Sequence, residues 1–271
     1  MRALELADAL GAAHASVGVV APGGGPPVTH GDALRVYAWA SVTKLCTALA
    51  VLVAVEEGSV RLDDAAGPPG STVRHLLAHA SGLGPSDPVR PLCGPGERRI
   101  YSNAGFEVLA SVVSRSSDVP FEEYLDAAVL GPLAMSGTHL EGSPAAGAVG
   151  PLEDLLALGR ELLEPRLVSA ETLRAATSVA FPGLAGVLPG FGRQEPCDWG
   201  LGVEIRGRKS PHWTGARNSP ETFGHFGQSG TFLWVDPGAR VACALLTDRP
   251  FGPWAAEAWP RLSDAVLAGA S

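Results

Sequence analysis

Cysteine, aromatic residues, basic charge and long apolar runs are all scarce in this chain, and each scarcity excludes something. The four cysteines, Cys46, Cys93, Cys197 and Cys243, have no paired Cys-x-x-Cys spacing. Cys46 falls in an apolar helical run and Cys243 in a strand-like one, as free thiols of a reducing compartment do. Cys93 and Cys197 lie in Pro/Gly-rich loops, and the sequence leaves a link between them open. The formal net charge of -8 comes without a basic stripe to neutralise phosphates, which argues against a nucleic-acid partner. Arg206, Arg208 and Lys209 form one short basic cluster, expected to be a solvated turn. No apolar stretch reaches the roughly 20 residues a membrane span needs. Arg2, Glu5 and Asp8 interrupt any secretory leader at the start. A soluble, cytoplasmic protein without a membrane partner is the expectation. No Gly-x-Ser-x-Gly elbow is present, which argues against an α/β-hydrolase, and no internal repeat appears.

What remains is an ordinary globular composition, 46% hydrophobic and 18% charged. Residues 3–13 read as a short amphipathic helix. The runs 15–21 and 35–39 read as strands of an antiparallel hairpin across a Gly/Pro-rich turn. A helix from Ser41 to about Glu57 ends at Gly58. Further helices are expected over 72–80, 103–115, 120–129, 152–163 and 169–177, followed by a loop-rich stretch at 181–198. Strands then return at 200–205, 222–226, 231–235 and 241–247, and a last helix covers about 253–268. This order predicts an α+β fold: one antiparallel sheet built from both chain ends and flanked by helices, with an inserted helical subdomain. In a single domain spanning 1–271, the α/β part takes about 1–58 and 199–271 and the helical part about 59–198. A cleft between them is the natural pocket.

Three clusters carry chemistry. Ser41 and Lys44 stand i,i+3 at the head of an apolar helix, so a hydroxyl and an amine share one helical face. The helix dipole and burial both push Lys44 toward the neutral amine, the form that can take a proton from Ser41. The plainer alternative is a Ser41 cap with Lys44 reaching solvent. The second cluster is Tyr101-Ser102-Asn103 at a loop-to-helix junction, where Asn103 either caps the helix or faces the cleft beside Tyr101. The third is Gly224-His225-Phe226-Gly227-Gln228-Ser229-Gly230, whose glycines let a ligand approach the backbone; here His225 offers a donor, or is the surface residue of a tight hairpin. His75 and His79 are spaced i,i+4, but no Glu follows His75, so the zinc-protease pattern is incomplete; no metal or cofactor is expected.

With these clusters in order, the chain resembles the class C type family of serine β-lactamases, D-alanyl-D-alanine carboxypeptidases and related esterases. The signatures are Ser41-Val42-Thr43-Lys44, Tyr101-Ser102-Asn103 and His225-Phe226-Gly227. The strings His75-Leu76-Leu77-Ala78-His79-Ala80-Ser81-Gly82-Leu83 and Trp199-Gly200-Leu201-Gly202 support them. The resemblance spans about residues 15–250 and implies a β-lactamase/transpeptidase-like fold. It implies Ser41 as acylated nucleophile, Lys44 as base, and Tyr101 as proton shuttle, or as a tyrosinate serving the deacylating water. It implies Asn103 as a substrate-amide ligand, His225 and Gly227 in the binding strand, and an oxyanion hole from the N–H groups of Ser41 and Gln228. It also implies that the segment around His79 is structural. His225 stands where β-lactamases of this type carry Lys, and the chain is short between His79 and Tyr101 and over 138–150. Both departures predict a shallow, open site, a partly charged His225, and small esters, amides or D-amino-acid peptides over β-lactams. The function implied is a serine hydrolase working through an acyl-enzyme on a small molecule. The alternatives are a silent binding member of the fold and an acyltransferase.

Overall fold

Strands apolar on both faces need a layer on each side, and the chain supplies two. In the computed structural model, which describes residues 2–270, the elements in chain order are β1 (Ala15–Val20), β2 (Val28–His30), β3 (Tyr37–Ala38), α1 (Thr43–Glu56), α2 (Val73–Leu77), α3 (Asn103–Ser117) and α4 (Phe121–Leu125), then β4 (His139–Leu140), β5 (Ala148–Gly150), α5 (Leu152–Leu163), α6 (Ala170–Ala176), β6 (Gly186–Leu188) and β7 (Gly192–Gln194), and finally β8 (Glu204–Ile205), β9 (Phe223–Gly227), β10 (Thr231–Asp236), β11 (Val241–Thr247) and α7 (Pro253–Ala270). The fold is α+β. Six strands form an antiparallel sheet in the order β2-β1-β11-β10-β9-β8, so both chain ends build it as expected. Register is set by Ala15 opposite Thr247 and Thr231 opposite Gly227. Every residue of β9, β10 and β11 is buried.

One face of the sheet packs on an apolar cluster of Leu4, Trp213, Trp259 and Leu262, from the N-terminal turn, the β8–β9 connection and α7. The other packs on a larger cluster containing Leu45, Leu49, Leu77, Phe106 and Leu156. Helix α5 presses directly on the sheet, so the middle segment also covers it: a Cβ on Gly18 would meet Leu156 at 2.6 Å, and one on Gly159 would meet Leu233 at 3.1 Å.

Several local expectations are corrected. The run at 35–39 does not return as a hairpin on β1. β2 takes that place, and β3 joins a separate three-stranded sheet, β3-β5-β4. The physical reason is Trp39, which is fully buried and donates through Nε1 to the Gly150 carbonyl at 3.0 Å. The expected N-terminal helix is a 3₁₀ segment, Arg2–Ala9. The helix at 72–80 stops at Leu77 because His79 takes a positive φ of 54°. Only Glu204–Ile205 of the stretch 200–205 is strand, and the loop-rich region holds the two-stranded β6-β7 sheet. All four cysteines are free. Among the described residues no helix is long and apolar enough to cross a membrane.

Helix α1 runs through the larger apolar cluster, with Thr43 through Leu52 and Ala54 all buried. It is seated by a glycine: a Cβ on Gly202, whose φ is +85°, would lie 2.1 Å from the Ala48 Cβ. Gly202→Ala is therefore expected to cost about 2 kcal/mol or more from backbone strain and overpacking together, read as a lower midpoint in urea unfolding with an unchanged slope.

Candidate active site

Ser41 does not cap a helix. It sits in a 3₁₀ turn, Ala40–Val42, that leads into α1, and the residue preceding α1, Val42, makes no side-chain cap bond. Ala40 is held at a φ of 47°, a sparsely populated conformation for a residue with a Cβ. Thr43 fixes that turn: its Oγ1 donates to the Ala40 carbonyl at 2.6 Å and accepts from the Ala148 N–H at 2.9 Å. The β9–β10 turn is clamped to the same segment. Ser229 Oγ donates to the Ala38 carbonyl at 2.7 Å, and Thr231 Oγ1 to the Trp39 carbonyl at 2.9 Å. Gly227 has no room for a side chain, since a Cβ there would meet the Trp39 carbonyl oxygen at 2.4 Å. These contacts bring Gln228 and Ser41 to one cleft.

That cleft is lined by Ser41, Tyr101, Asn103, Trp199, His225 and Gln228, with Leu188 and Pro189 of the β6–β7 hairpin as a further wall. This wall carries little signal in the sequence, because its strands are short and its region is rich in glycine and proline. Of the candidate residues, Ser41, Tyr101, Asn103, His225 and Gln228 line the cleft. Lys44 lies behind them and Gly227 supports the turn.

Lys44 is fully buried and does not reach solvent. Its Nζ donates to Asn103 Oδ1 at 2.6 Å and to the Ala145 carbonyl at 2.8 Å. The nitrogen lies 4.8 Å from the centre of the Tyr101 ring and 5.4 Å from that of Phe106. Burial lowers its pKa to about 7, against a smaller opposing pull from Glu107. Asn103 is spared for this contact because Ser102, not Asn103, caps α3: Ser102 Oγ accepts from the Gly105 N–H at 3.0 Å.

The Tyr101 hydroxyl is buried and makes no hydrogen bond of ordinary geometry. Burial raises the phenol well above its usual range, and Ser41 opposes this only weakly. The phenol is therefore protonated near neutral pH, and a resident tyrosinate does not fit. His225 is buried, and burial together with Lys44 lowers it to about 3. It is a neutral imidazole, not the partly charged one the sequence suggested, and no surface residue of a hairpin.

Two further features have no local signal in the sequence. His79 brackets Tyr101: its Nδ1 accepts from the Ser102 N–H at 3.1 Å, its carbonyl accepts from the Ile100 N–H at 2.9 Å, and its ring lies 4.7 Å from the Tyr101 ring. Because α2 ends before it, His79 leaves the face of His75, which instead stacks on Phe181 at 4.4 Å and bonds Thr72 at 2.8 Å. The second feature is the basic cluster, which is not a solvated turn. Lys209 is buried and pairs with Glu204 at 2.5 Å, while His212 Nε2 lies 2.9 Å from the same carboxylate and Trp213 Nε1 donates to it at 3.0 Å. Burial would raise Glu204, but His212 and Lys209 outweigh it and hold the acid at about 2. Glu204 also lines the cleft. Arg208 alone of the three is exposed.

The beta-lactamase family profile matches residues 11–268. The chain belongs to the beta-lactamase family. The fold, with its antiparallel sheet and packed helices, is of the β-lactamase/transpeptidase type. The crystal structure of a beta-lactamase from Mycobacterium bovis is 55% identical over 99% of both chains, with a TM-score of 0.97. Unliganded simvastatin synthase from Aspergillus terreus shares the fold at 15% identity, covering 98% of this chain and 96% of that one, with a TM-score of 0.83. A putative D-alanyl-D-alanine carboxypeptidase of Salmonella heidelberg is 24% identical over 203 residues, 59% of this chain and 47% of that protein. The chain thus spans about half the length of the curated relatives it matches.

Two outcomes follow from this geometry. Lys44 binds its proton more weakly folded, at about 7, than unfolded, at 10.5. The unfolded state therefore holds more protons between those values, and stability rises with pH across that window. Against Lys44→Met, whose stability lacks this dependence, the wild type should gain steadily from pH 7 to 10.5 in urea unfolding. His79→Phe keeps a ring but loses the acceptor for the Ser102 N–H. Any turnover that the cleft supports should fall in kcat by about 10²-fold through displacement of Tyr101, with KM little changed, and His79→Asn, which restores an acceptor, should recover part of it.

Proposed function

We propose that the protein is a serine hydrolase that forms an acyl-enzyme on Ser41 with small esters, amides, D-amino-acid peptides or β-lactams. The observation that carries this reading is the buried Lys44 amine, lowered to about 7 and bonded to Asn103 at the back of the cleft that Ser41 lines. An acyl transfer near neutral pH needs a base that is free and yet strong enough to take a hydroxyl proton. His225, at about 3, is too weak a base by some four units, and the Tyr101 phenol is not ionised. Lys44 is the group that fits.

In this reading Ser41 Oγ attacks the acyl carbon as its proton passes to Lys44, and the carbonyl oxygen becomes an oxyanion facing the N–H groups of Ser41 and Gln228. The C–O or C–N bond then breaks, with the Tyr101 hydroxyl donating to the leaving atom and Lys44 returning a proton to the phenol. Asn103 presents its amide N–H to the substrate, because Lys44 occupies its carbonyl oxygen. Water releases the acid by the reverse sequence and restores Ser41. An acyltransferase differs only in the acceptor that replaces water, and a small, partly apolar cleft serves either. Product analysis with added alcohol or amine separates the two.

Labelling with a fluorophosphonate and with penicillin, mapped by mass spectrometry, should place an adduct on Ser41, absent from Ser41→Ala. Its rate should rise with pH through about 7 as Lys44 loses its proton, and Lys44→Met should lower it by about 10²- to 10⁴-fold. A label elsewhere, or one indifferent to both substitutions, defeats the proposal. Nitrocefin, p-nitrophenyl esters and D-alanyl-D-alanine peptides then rank the substrate classes.

A further inference from the structure

The His225 ring faces two different environments. Its Nδ1 lies 2.7 Å from the Phe226 carbonyl oxygen. A carbonyl oxygen only accepts, so Nδ1 carries the ring proton and Nε2 is left with a lone pair. That Nε2 is buried and has no hydrogen-bond partner. The ring is packed between Tyr101, 5.8 Å away, and Trp199, 5.6 Å away, and it lines the cleft. The groups around it cannot turn it into a donor. Burial and the nearby Lys44 both oppose a second proton, and the weaker pull of Glu204 does not offset them.

The remaining polar groups of the cleft have the opposite character. Asn103 has its carbonyl oxygen taken by Lys44 and so shows its NH₂. Tyr101 keeps its hydroxyl proton. The N–H groups proposed for the oxyanion are donors by nature. His225 Nε2 is thus an unpaired acceptor set among donors. A ligand that brings an O–H or N–H satisfies it, whereas a carboxylate brings only lone pairs and leaves two acceptors facing each other. A lysine at the same position would reverse that preference.

We propose that His225 Nε2 is the specificity determinant of this site, accepting a hydrogen bond from a hydroxyl or N–H on an uncharged acyl donor and disfavouring acyl donors with a carboxylate there. This rests on Ser41 being the acylated residue.

The test compares p-nitrophenyl esters of 3-hydroxybutyrate, 3-methoxybutyrate and succinate, the last a monoester with a free carboxylate. Each is measured as kcat/KM on the wild type, His225→Phe and His225→Lys, with fluorophosphonate labelling of Ser41 as a parallel readout. The wild type should prefer the hydroxy ester over its methyl ether by about tenfold or more, with succinate poorest. His225→Phe should bring the hydroxy-to-methoxy ratio close to one while Ser41 still labels, and His225→Lys should improve succinate by about tenfold relative to the other two. A wild-type ratio near one, a preference for succinate, or the same ratio in His225→Phe overturns the proposal; the wild-type ratio decides even if a variant fails to fold. Ser41 adducts that persist beside a flat ratio leave the acyl-enzyme standing and remove only the role of His225. Absence of any Ser41 adduct removes both.

Discussion

Burying a primary amine is the constraint on which the rest of the site depends. Lys44 has no exposed surface, and taking its charge out of water disfavours the ammonium more than Glu107 can restore it. Two acceptors, Asn103 Oδ1 and the Ala145 carbonyl, satisfy its N–H groups without supplying a full counter-charge. A carboxylate in either place would have held the amine protonated. Neutral oxygens instead leave it poised between its two states near neutral pH, and they tie α1, α3 and the stretch before β5 together at one point.

The backbone around the nucleophile candidate follows from that placement. α1 is apolar nearly throughout, so its entry must lie at the edge of the core, where Ser41 keeps partial exposure. Ala40 takes up an unfavourable φ to reach that position. Hydrogen bonds from Thr43, Ser229 and Thr231 to Ala40, Ala38 and Trp39 hold it there. Strain of this kind persists only where surrounding contacts over-determine it, and here Ser229 and Thr231 bring that support from the sheet and Thr43 from α1. The β9–β10 turn is thus both an edge of the cleft and the support for the Ser41 turn, which explains why Gly227 has no space for a side chain.

The parts of this arrangement legible in sequence are the ones encoded locally. Ser41 and Lys44 share a helix, Tyr101 and Asn103 share a junction, and His225 sits in a glycine-rich strand end. Alternating and continuous apolar runs likewise gave β1, β10 and β11 and the helices α1, α3 and α5. What could not be read depends on distant partners. Tyr37 and Trp39 are equally apolar whether they pair with β1 or with β5, and the backbone groups of β5, the Gly150 and Ala148 carbonyls among them, decide. Lys209 looks like a solvated cation until Glu204 and His212 are folded around it. His79 has no local signal for its grip on the Tyr101 loop, which spans more than 20 residues of sequence.

The charge state of the cleft brings these pieces into one account. Glu204 lines it as an ionised acid, but Lys209 pairs with that carboxylate and Trp213 donates to it, so the local field is largely cancelled. His225 is neutral and Tyr101 is protonated. Lys44, directly behind the cleft, then changes charge near neutral pH, and the acyl transfer proposed above needs it to relay a single proton. A permanent cation at position 225 would depress Lys44 further through like-charge repulsion, since His225 and Lys44 already interact. Exchanging lysine for histidine there removes an attraction for anionic ligands and leaves the base unopposed, so one substitution alters both what the cleft holds and how readily its amine accepts a proton.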